Sequence, residues 1–327
     1  MEFFRRVPWG MLLKLLMLAL IGWYLYSQIE WNTFFRTIRA ADPSWMLAAA
    51  VCYGTTTLLG IIRWQVLLGS AGVGLRWLRT AQLTLIGLFA NLFLPGSMGG
   101  DLLKAYFAGR EIPEKRTTLL MSIVMERLLG FIAMFAVSTA LILSRYDRLT
   151  AEPATRVAVY LYFVFFSLIV GLIAIGMWRK LGEWFPFGKT IWKRFPFQEV
   201  LHEAADAYQF FMRHPACFRG GLLLSAVAHF TLMGTFYCVS RALHMTIAFW
   251  DLAAVLPLIM MVSMIPVTPN GVGLRELAFS HFLQFAHMTE ESSIALSLGG
   301  TMVIYLWALA GGLVFLKFRS RPSQRVS

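Results

Sequence analysis

The sequence predicts an all-α polytopic membrane protein with six transmembrane helices, two oppositely oriented re-entrant helical hairpins and one cytoplasmic interfacial helix. Of its 327 residues, 58% are hydrophobic and only 14% are charged, and the mean hydropathy is +0.65. Apolar windows of about 20 residues, the length at which a helix crosses a bilayer, recur along the chain. Two further apolar stretches are interrupted at their centres by proline and glycine. We treat residues 1–327 as a single integral membrane domain.

Six windows have the length and composition of full spans. They are residues 9–29, 44–68, 117–144, 155–178, 216–242 and 290–317. The first follows Arg5 and Arg6 and looks like a signal peptide. It has no small-residue cleavage site and exceeds the usual length of a signal-peptide apolar region, so we expect a retained helix.

Residues 79–109 and 250–287 are predicted to form the two hairpins, because each stretch is apolar but interrupted at its centre. The break residues are Pro95, Gly96, Gly99 and Gly100 in the first stretch and Pro269, Gly271 and Gly273 in the second. If each hairpin returns to the side from which it enters, most of the 29 Lys and Arg residues fall on one side. Positively charged loops remain cytoplasmic, so both termini are predicted in the cytoplasm of a bacterium, with the chain in its inner membrane.

The two breaks also resemble each other. Pro95-x-x-x-Gly99-x-Asp101 matches Pro269-x-x-x-Gly273-x-Arg275, and each follows an apolar arm and precedes a full span. On the predicted topology the hairpins enter from opposite faces. Residues 79–144 and 250–317 are therefore predicted to form an inverted repeat, and a simple proline kink at each break is the alternative.

Residues 183–214 are predicted to contain the interfacial helix. Aromatic residues are mixed with Lys and Arg in the first half, and from Val200 apolar residues recur at helical spacing, with Glu199, Glu203 and Asp206 on the other face. This pattern suits a helix on the cytoplasmic leaflet. An ordinary amphipathic connector packed on the bundle fits it equally well.

Interrupted helices at membrane depth require a polar cavity, because their free backbone groups need partners. Charged residues predicted at depth would line it. The candidate substrate-binding residues are Arg127, Arg275, Glu126, Glu276, Asp101, Ser97 and Asn270. Arg127 and Arg275 are the candidates for a phosphate, which a guanidinium can hold through two hydrogen bonds. Two structural alternatives remain: Asp101 as a helix cap, and ion pairs of Arg275 with Glu126 or Asp101.

Other polar residues in the spans receive structural interpretations. Arg63 and Lys14 lie nearer to span ends and are expected to reach the cytoplasmic surface. His229, isolated in the fifth predicted span, is interpreted as a hydrogen-bonded packing residue, with a proton relay as the alternative.

The residues exclude several classes of function. The three cysteines have no metal-binding spacing, and the six histidines form no ligand motif. No nucleotide-binding or hydrolase motif occurs in a suitable context, so no catalytic residue, metal or cofactor is predicted. The net charge of +12 does not indicate nucleic acid, because the Lys and Arg residues flank apolar windows, where anionic lipid is the expected partner.

Four motifs together resemble the membrane region of lysylphosphatidylglycerol synthases, which also occurs as stand-alone proteins. They are LPGSMGGD at 94–101, KAY at 104–106, MERLLG at 125–130 and PNGVGLRE at 269–276. The resemblance implies lipid translocation or lipid binding, with Asp101, Glu126, Arg127, Arg275 and Glu276 at matched positions. Since the chain ends about ten residues after its last predicted span, we expect a stand-alone member without the aminoacyl-transferase domain.

The expected function is therefore that of a lipid flippase for an anionic phospholipid or a lipid-linked phosphate, for example a polyprenyl- or hopanoid-type lipid. It would be a transporter and not an enzyme. Two alternatives remain open: a lipid-binding accessory subunit of a lipid- or glycan-modifying pathway, and an intramembrane lipid-linked transferase with Asp101 or Glu276 as base. A homo-oligomer is also left open.

Overall fold

The computed structural model describes residues 39–92, 99–177, 214–263 and 273–318, and these residues form helices joined by short turns. The α-helices in the described ranges are α1 Pro43–Ser70, α2 Trp77–Ala90, α3 Gly99–Glu111, α4 Arg116–Ser144, α5 Tyr146–Ala151, α6 Pro153–Met177, α7 Pro215–Ala242, α8 Phe249–Ser263, α9 Leu274–Phe282 and α10 Glu290–Lys317. Two 3₁₀ turns, Pro113–Lys115 and Gln284–Ala286, precede α4 and follow α9. The protein is a membrane protein, and all the regular secondary structure in its described residues is helical.

Four predicted spans are confirmed by helices that are long and apolar enough to cross a membrane. These are Pro43–Ser70, Pro113–Ser144, Pro215–Ala242 and Glu290–Lys317. Helix α6 covers residues 155–177 of the predicted span 155–178, but its described side chains form a shorter apolar stretch, Thr155–Leu168. The predicted span 9–29 and the interfacial segment 183–214, except His214, lie outside the described residues. The complete six-span arrangement stays a prediction.

Local sequence explains where the long helices begin and end. Asp42 caps α1 by accepting a hydrogen bond from the Ser44 backbone N–H at 2.8 Å, and Pro43 occupies the first turn, where a missing N–H costs nothing. Helix α1 ends at Ser70, and Gly72, two residues later, has a φ of 67°. Helix α7 ends at Ala242 in the same way, and His244, two residues later, has a φ of 58°.

Each interrupted stretch forms two short helices that pack against each other. Helices α2 and α3 flank residues 93–98, and α8 and α9 flank residues 264–272; neither intervening segment is described. The first pair meets backbone to backbone, because a Cβ atom on Gly100 would lie 2.0 Å from the carbonyl oxygen of Gly87. The Gly100 N–H also donates to the Asn91 side chain at 2.7 Å. Glycine at position 100 is therefore required for the close approach.

The two halves have the same order of elements: a long helix, two short helices around an undescribed segment, and another long helix. The two leading long helices, α1 and α7, are antiparallel. The Asp42 N–H donates to the carbonyl of Ala242 at 2.9 Å at one end, and Cys217 Sγ lies 3.3 Å from Ser70 Oγ at the other.

The bundle thus has two distinct ends. The end that carries Ser70 also carries the Lys115–Gly72 hydrogen bond and a cation–π contact of Arg79 with Phe318, at 4.7 Å. We call it the basic end, because Lys and Arg residues gather at its helix termini: Arg76, Arg79, Lys115, Arg116, Arg219 and Lys317. The opposite end carries the contact of Asp42 with Ala242.

Candidate functional site

A cavity of about 470 Å³ lies inside the bundle. Six helices line it: α1, α2, α3, α4, α7 and α8. Both interrupted stretches therefore contribute to its wall, the first through α2 and α3 and the second through α8. A volume of this size is in the range of about 300–1,000 Å³ typical of small-ligand sites.

The cavity wall contains a buried ionic cluster centred on Glu126 of α4. One carboxylate oxygen lies 2.6 Å from Lys104 Nζ, and the other lies 3.2 Å from an Nη of Arg63. A second Nη of Arg63 donates to Ser225 Oγ at 2.8 Å. Only 4% of the Lys104 side chain and 11% of the Glu126 side chain are exposed. The three charges are thus held in place by mutual contacts.

Lys104 also packs over an aromatic ring. Its Nζ lies 3.7 Å from the centroid of Trp64, and the Trp64 indole N–H donates to Ser122 at 3.1 Å. Trp64 is fully buried. This cation–π contact favours the charged amine in a dry position and fixes its direction toward Glu126.

A second ion pair joins Asp101 of α3 to Arg127 of α4. Asp101 and Lys104 are three residues apart and share one face of α3, so both reach the adjacent pair Glu126 and Arg127. The Arg127 side chain is 35% exposed and that of Asp101 is 21% exposed. The second pair is therefore the more accessible part of the ionic wall.

The charges on the cavity wall do not balance. The described lining residues include three cations, Arg63, Lys104 and Arg127, and two carboxylates, Asp101 and Glu126. One positive charge is left over, with His229 neutral. The cavity is therefore electrostatically suited to an anion.

Most of the remaining wall is apolar, although Thr56, Thr57, Thr84 and Asn91 also line it. Phe131 and Met134 follow the ionic residues on α4 by one to two turns toward the opposite end, and they face the cavity with Leu232 of α7 and Leu256 of α8. The cavity therefore combines an ionic region with a hydrophobic one. Among the described residues, no group of three or more His, Cys, Asp or Glu side chains could hold a metal ion.

The charged pair of the second hairpin lies apart from this wall. Arg275 Nη2 contacts Glu276 Oε1 at 3.2 Å, and both residues are buried. Glu276 accepts hydrogen bonds from the Gly273 N–H at 2.6 Å and from Ser297 at 2.9 Å. Glu276 thereby caps α9, and Gly273, with a φ of 89°, supplies the turn before it.

The structure thus brings together three of the five charged candidates, Asp101, Glu126 and Arg127. It pairs the other two, Arg275 and Glu276, with each other. Gly99 and Gly100 begin α3, and Gly273 precedes α9. The remaining candidates lie outside the described residues: Pro95, Gly96, Ser97, Pro269, Asn270 and Gly271.

Sequence reasoning missed Arg63, which was expected to reach the cytoplasmic surface. It points inward and contacts Glu126 and Ser225. Two signals could have indicated this: the Thr55-Thr56-Thr57 run and Gly60, which make this part of α1 unusually polar and small for a lipid-facing helix. His229 also lies on the cavity wall, where Nε2 is 3.1 Å from the carbonyl oxygen of Gly130.

A comparison with protein families matches residues 11–312 to the transmembrane region of lysylphosphatidylglycerol synthase. The chain belongs to this family. The match covers the described helices α1 to α9 and most of α10, including the whole ionic wall of the cavity. A search of curated proteins finds no matching relative. Membership in the lysylphosphatidylglycerol synthase transmembrane family assigns the chain to membrane-lipid function.

Proposed function

We propose that this family member translocates a lipid whose headgroup is an anionic phosphate, either an anionic phospholipid or a lipid-linked phosphate. The single observation that carries the proposal is the cavity, which combines a cationic excess with an apolar wall. A headgroup phosphate would interact with the ionic wall, and the hydrocarbon chain would pack near Phe131, Met134 and Leu256. A free polar solute has no hydrocarbon chain that could pack on the apolar part of the wall.

Arg127 is the proposed first contact of the phosphate. It is the most exposed of the three cations on the wall, and its neighbour Asp101 is partly exposed as well. A phosphate could replace the carboxylate at the guanidinium, since both anions accept the same pair of hydrogen bonds. Arg63 and Lys104, which are less exposed, would then add to the positive potential at the phosphate, while their contacts with Glu126 keep them in place.

The arrangement of the two halves supports an inverted repeat with hairpins entering from opposite faces. The element order is the same in both halves, and the leading helices α1 and α7 run antiparallel. The basic end supports a cytoplasmic location for the loops that carry it. We therefore propose a bacterial inner-membrane protein with cytoplasmic termini and membrane lipids as its partners.

The test is lipid translocation by purified protein in proteoliposomes, measured with a fluorescent anionic phospholipid and a membrane-impermeant quencher. An Arg127→Gln variant should transport at least about tenfold more slowly, because a hydrogen bond to a charged group contributes about 1.5–3 kcal/mol. Arg219→Gln is the matched control, because Arg219 is exposed at the basic end and should transport normally.

Wild-type protein that binds the labelled lipid but never moves it would contradict translocation and favour an accessory lipid-binding subunit. Equal transport by wild-type and Arg127→Gln protein would remove Arg127 from the pathway. Chemical conversion of the lipid by the protein alone would instead favour a transferase.

A further inference from the structure

An ion-pair cluster closes the end of the bundle opposite the basic end. Asp251, in the first turn of α8, contacts Arg148 of α5 at 2.8 Å and Arg145, the residue that follows α4, at 3.2 Å. Three elements therefore meet on one carboxylate. We call this set of three residues the latch.

The latch is unequally exposed. The Asp251 side chain is 9% exposed, that of Arg145 is 32% exposed and that of Arg148 is 65% exposed. The carboxylate lies under two guanidinium groups, which can turn into water when the pair opens. Separating α8 from the α4–α5 corner therefore exposes charges that water solvates well, and the main cost is loss of the apolar contacts beneath.

An apolar layer lies between the latch and the cavity. It consists of Phe135 and Ile142 of α4 packed in one buried cluster with Leu252 and Val255 of α8. The cavity begins where this layer ends, at Met134 and Leu256. The layer is about two helical turns thick on α4, and it separates the cavity from water at this end.

A proline divides α8 where the layer meets the cavity. Pro257 is inside the helix and lines the cavity six residues after Asp251. It cannot donate the backbone hydrogen bond to the carbonyl of Ala253, and such positions are where helices bend. The first turns of α8 can therefore pivot without unfolding the remainder of the helix.

We propose that the first half of α8 is a gate for the cavity, with Pro257 as the hinge and the latch of Asp251 with Arg145 and Arg148 as its fastening. In the structure the gate is closed. Opening separates Leu252 and Val255 from the end of α4 and admits water and a lipid headgroup to the cavity from this end. The inference rests on the proposed function, because it supplies one of the two routes that translocation requires.

The test measures access to a single cysteine placed in the cavity. Met134→Cys serves as the reporter in a chain whose native Cys52, Cys217 and Cys238 are replaced by alanine. The protein is reconstituted in nanodiscs, where both faces are open to reagent. The measured quantity is the rate at which the reporter thiol reacts with a charged, membrane-impermeant methanethiosulfonate.

Removing the latch should expose the reporter. We expect Asp251→Asn and Arg148→Gln each to raise the labelling rate at least about tenfold, because each deletes a charge-assisted hydrogen bond of the closed state. Arg148→Gln covers the case in which Asp251→Asn fails to fold, since Arg148 is mostly exposed. Asp147→Asn is the control, because this exposed carboxylate on α5 is outside the latch and should leave the rate unchanged.

Labelling rates that are equal with the intact latch, with Arg148→Gln and with Asp251→Asn would overturn the gate. If the protein translocates lipid but the latch variants leave the labelling rate unchanged, the gate is rejected and the proposed function stands. If the latch variants raise the labelling rate but the protein translocates no lipid, only the proposed function is rejected.

Discussion

Replacing Glu126 by glutamine should destabilise the protein far more than replacing Asp101 by asparagine. Glu126 compensates two cations at 2.6 and 3.2 Å, and one of them, Lys104, has a side chain that is only 4% exposed. Removing one partner of a buried ion pair costs about 3–5 kcal/mol, because the other charge stays buried without compensation. At Asp101 the pair is partly exposed and solvent screens it, so we expect about 1 kcal/mol or less.

Thermal unfolding in detergent, followed by the reaction of buried cysteines such as Cys238 with a fluorogenic maleimide, measures the difference. Glu126→Gln should lower Tm by at least about 5 °C, since 1 kcal/mol shifts Tm by roughly 2–4 °C in domains of this order of size. Adding Lys104→Met should restore part of the loss, because the uncompensated amine is then gone. If the two losses simply add, Glu126 and Lys104 are not coupled and our account of the ionic wall is wrong.

Two more predictions concern packing and pH. Gly311→Ala should destabilise the folded protein by several kcal/mol, because the new Cβ would lie 2.1 Å from the Leu85 carbonyl oxygen. Gly220→Ala is the control: its Cβ meets nothing within 4 Å, so it should stabilise the helix by up to about 1 kcal/mol. The Tm of each variant measures the effect. Hydrogen bonds from the hydroxyl and N–H of Ser44 lower the pKa of Asp42 below its ordinary 3.8. The ionised Asp42 cap should therefore contribute fully to the stability of the fold above about pH 4 and lose that contribution as pH falls through the lowered pKa. The Tm of the Asp42→Asn variant should consequently differ less between pH 6 and pH 3 than the Tm of the wild type.

The long helices could be predicted because lipid imposes their length. Residues 44–68 were expected and Pro43–Ser70 is observed, and the other confirmed spans agree as closely. The break positions were predicted from a local signal as well, since proline and glycine cannot continue a helix at full strength, and most of these residues lie outside the described ranges. Both signals are local, so no knowledge of neighbouring helices is needed.

Charge partners could not be predicted in the same way. Which residues face each other depends on the rotation of each helix about its axis and on which helices are neighbours, and neither follows from one apolar window. Arg63 is seven residues from the end of α1, and a long side chain there could equally reach water. Packing against α7 turns it inward to Ser225 instead. For the same reason, the alternative that paired Arg275 with Glu126 or Asp101 was wrong, and among the described residues Arg275 pairs with its own neighbour, Glu276.

The excess of one positive charge among the described residues that line the cavity determines how membrane voltage would act on the proposed transport. If a headgroup with one negative charge occupies the cavity, the charges of the described lining residues and of the headgroup sum to zero. Moving a unit charge through 100 mV is worth about 2.3 kcal/mol, but an electroneutral complex gains nothing from that field. In the proposed translocation, a potential would therefore act mainly on the step in which the empty cavity returns, and it would have little effect on the step that carries the lipid.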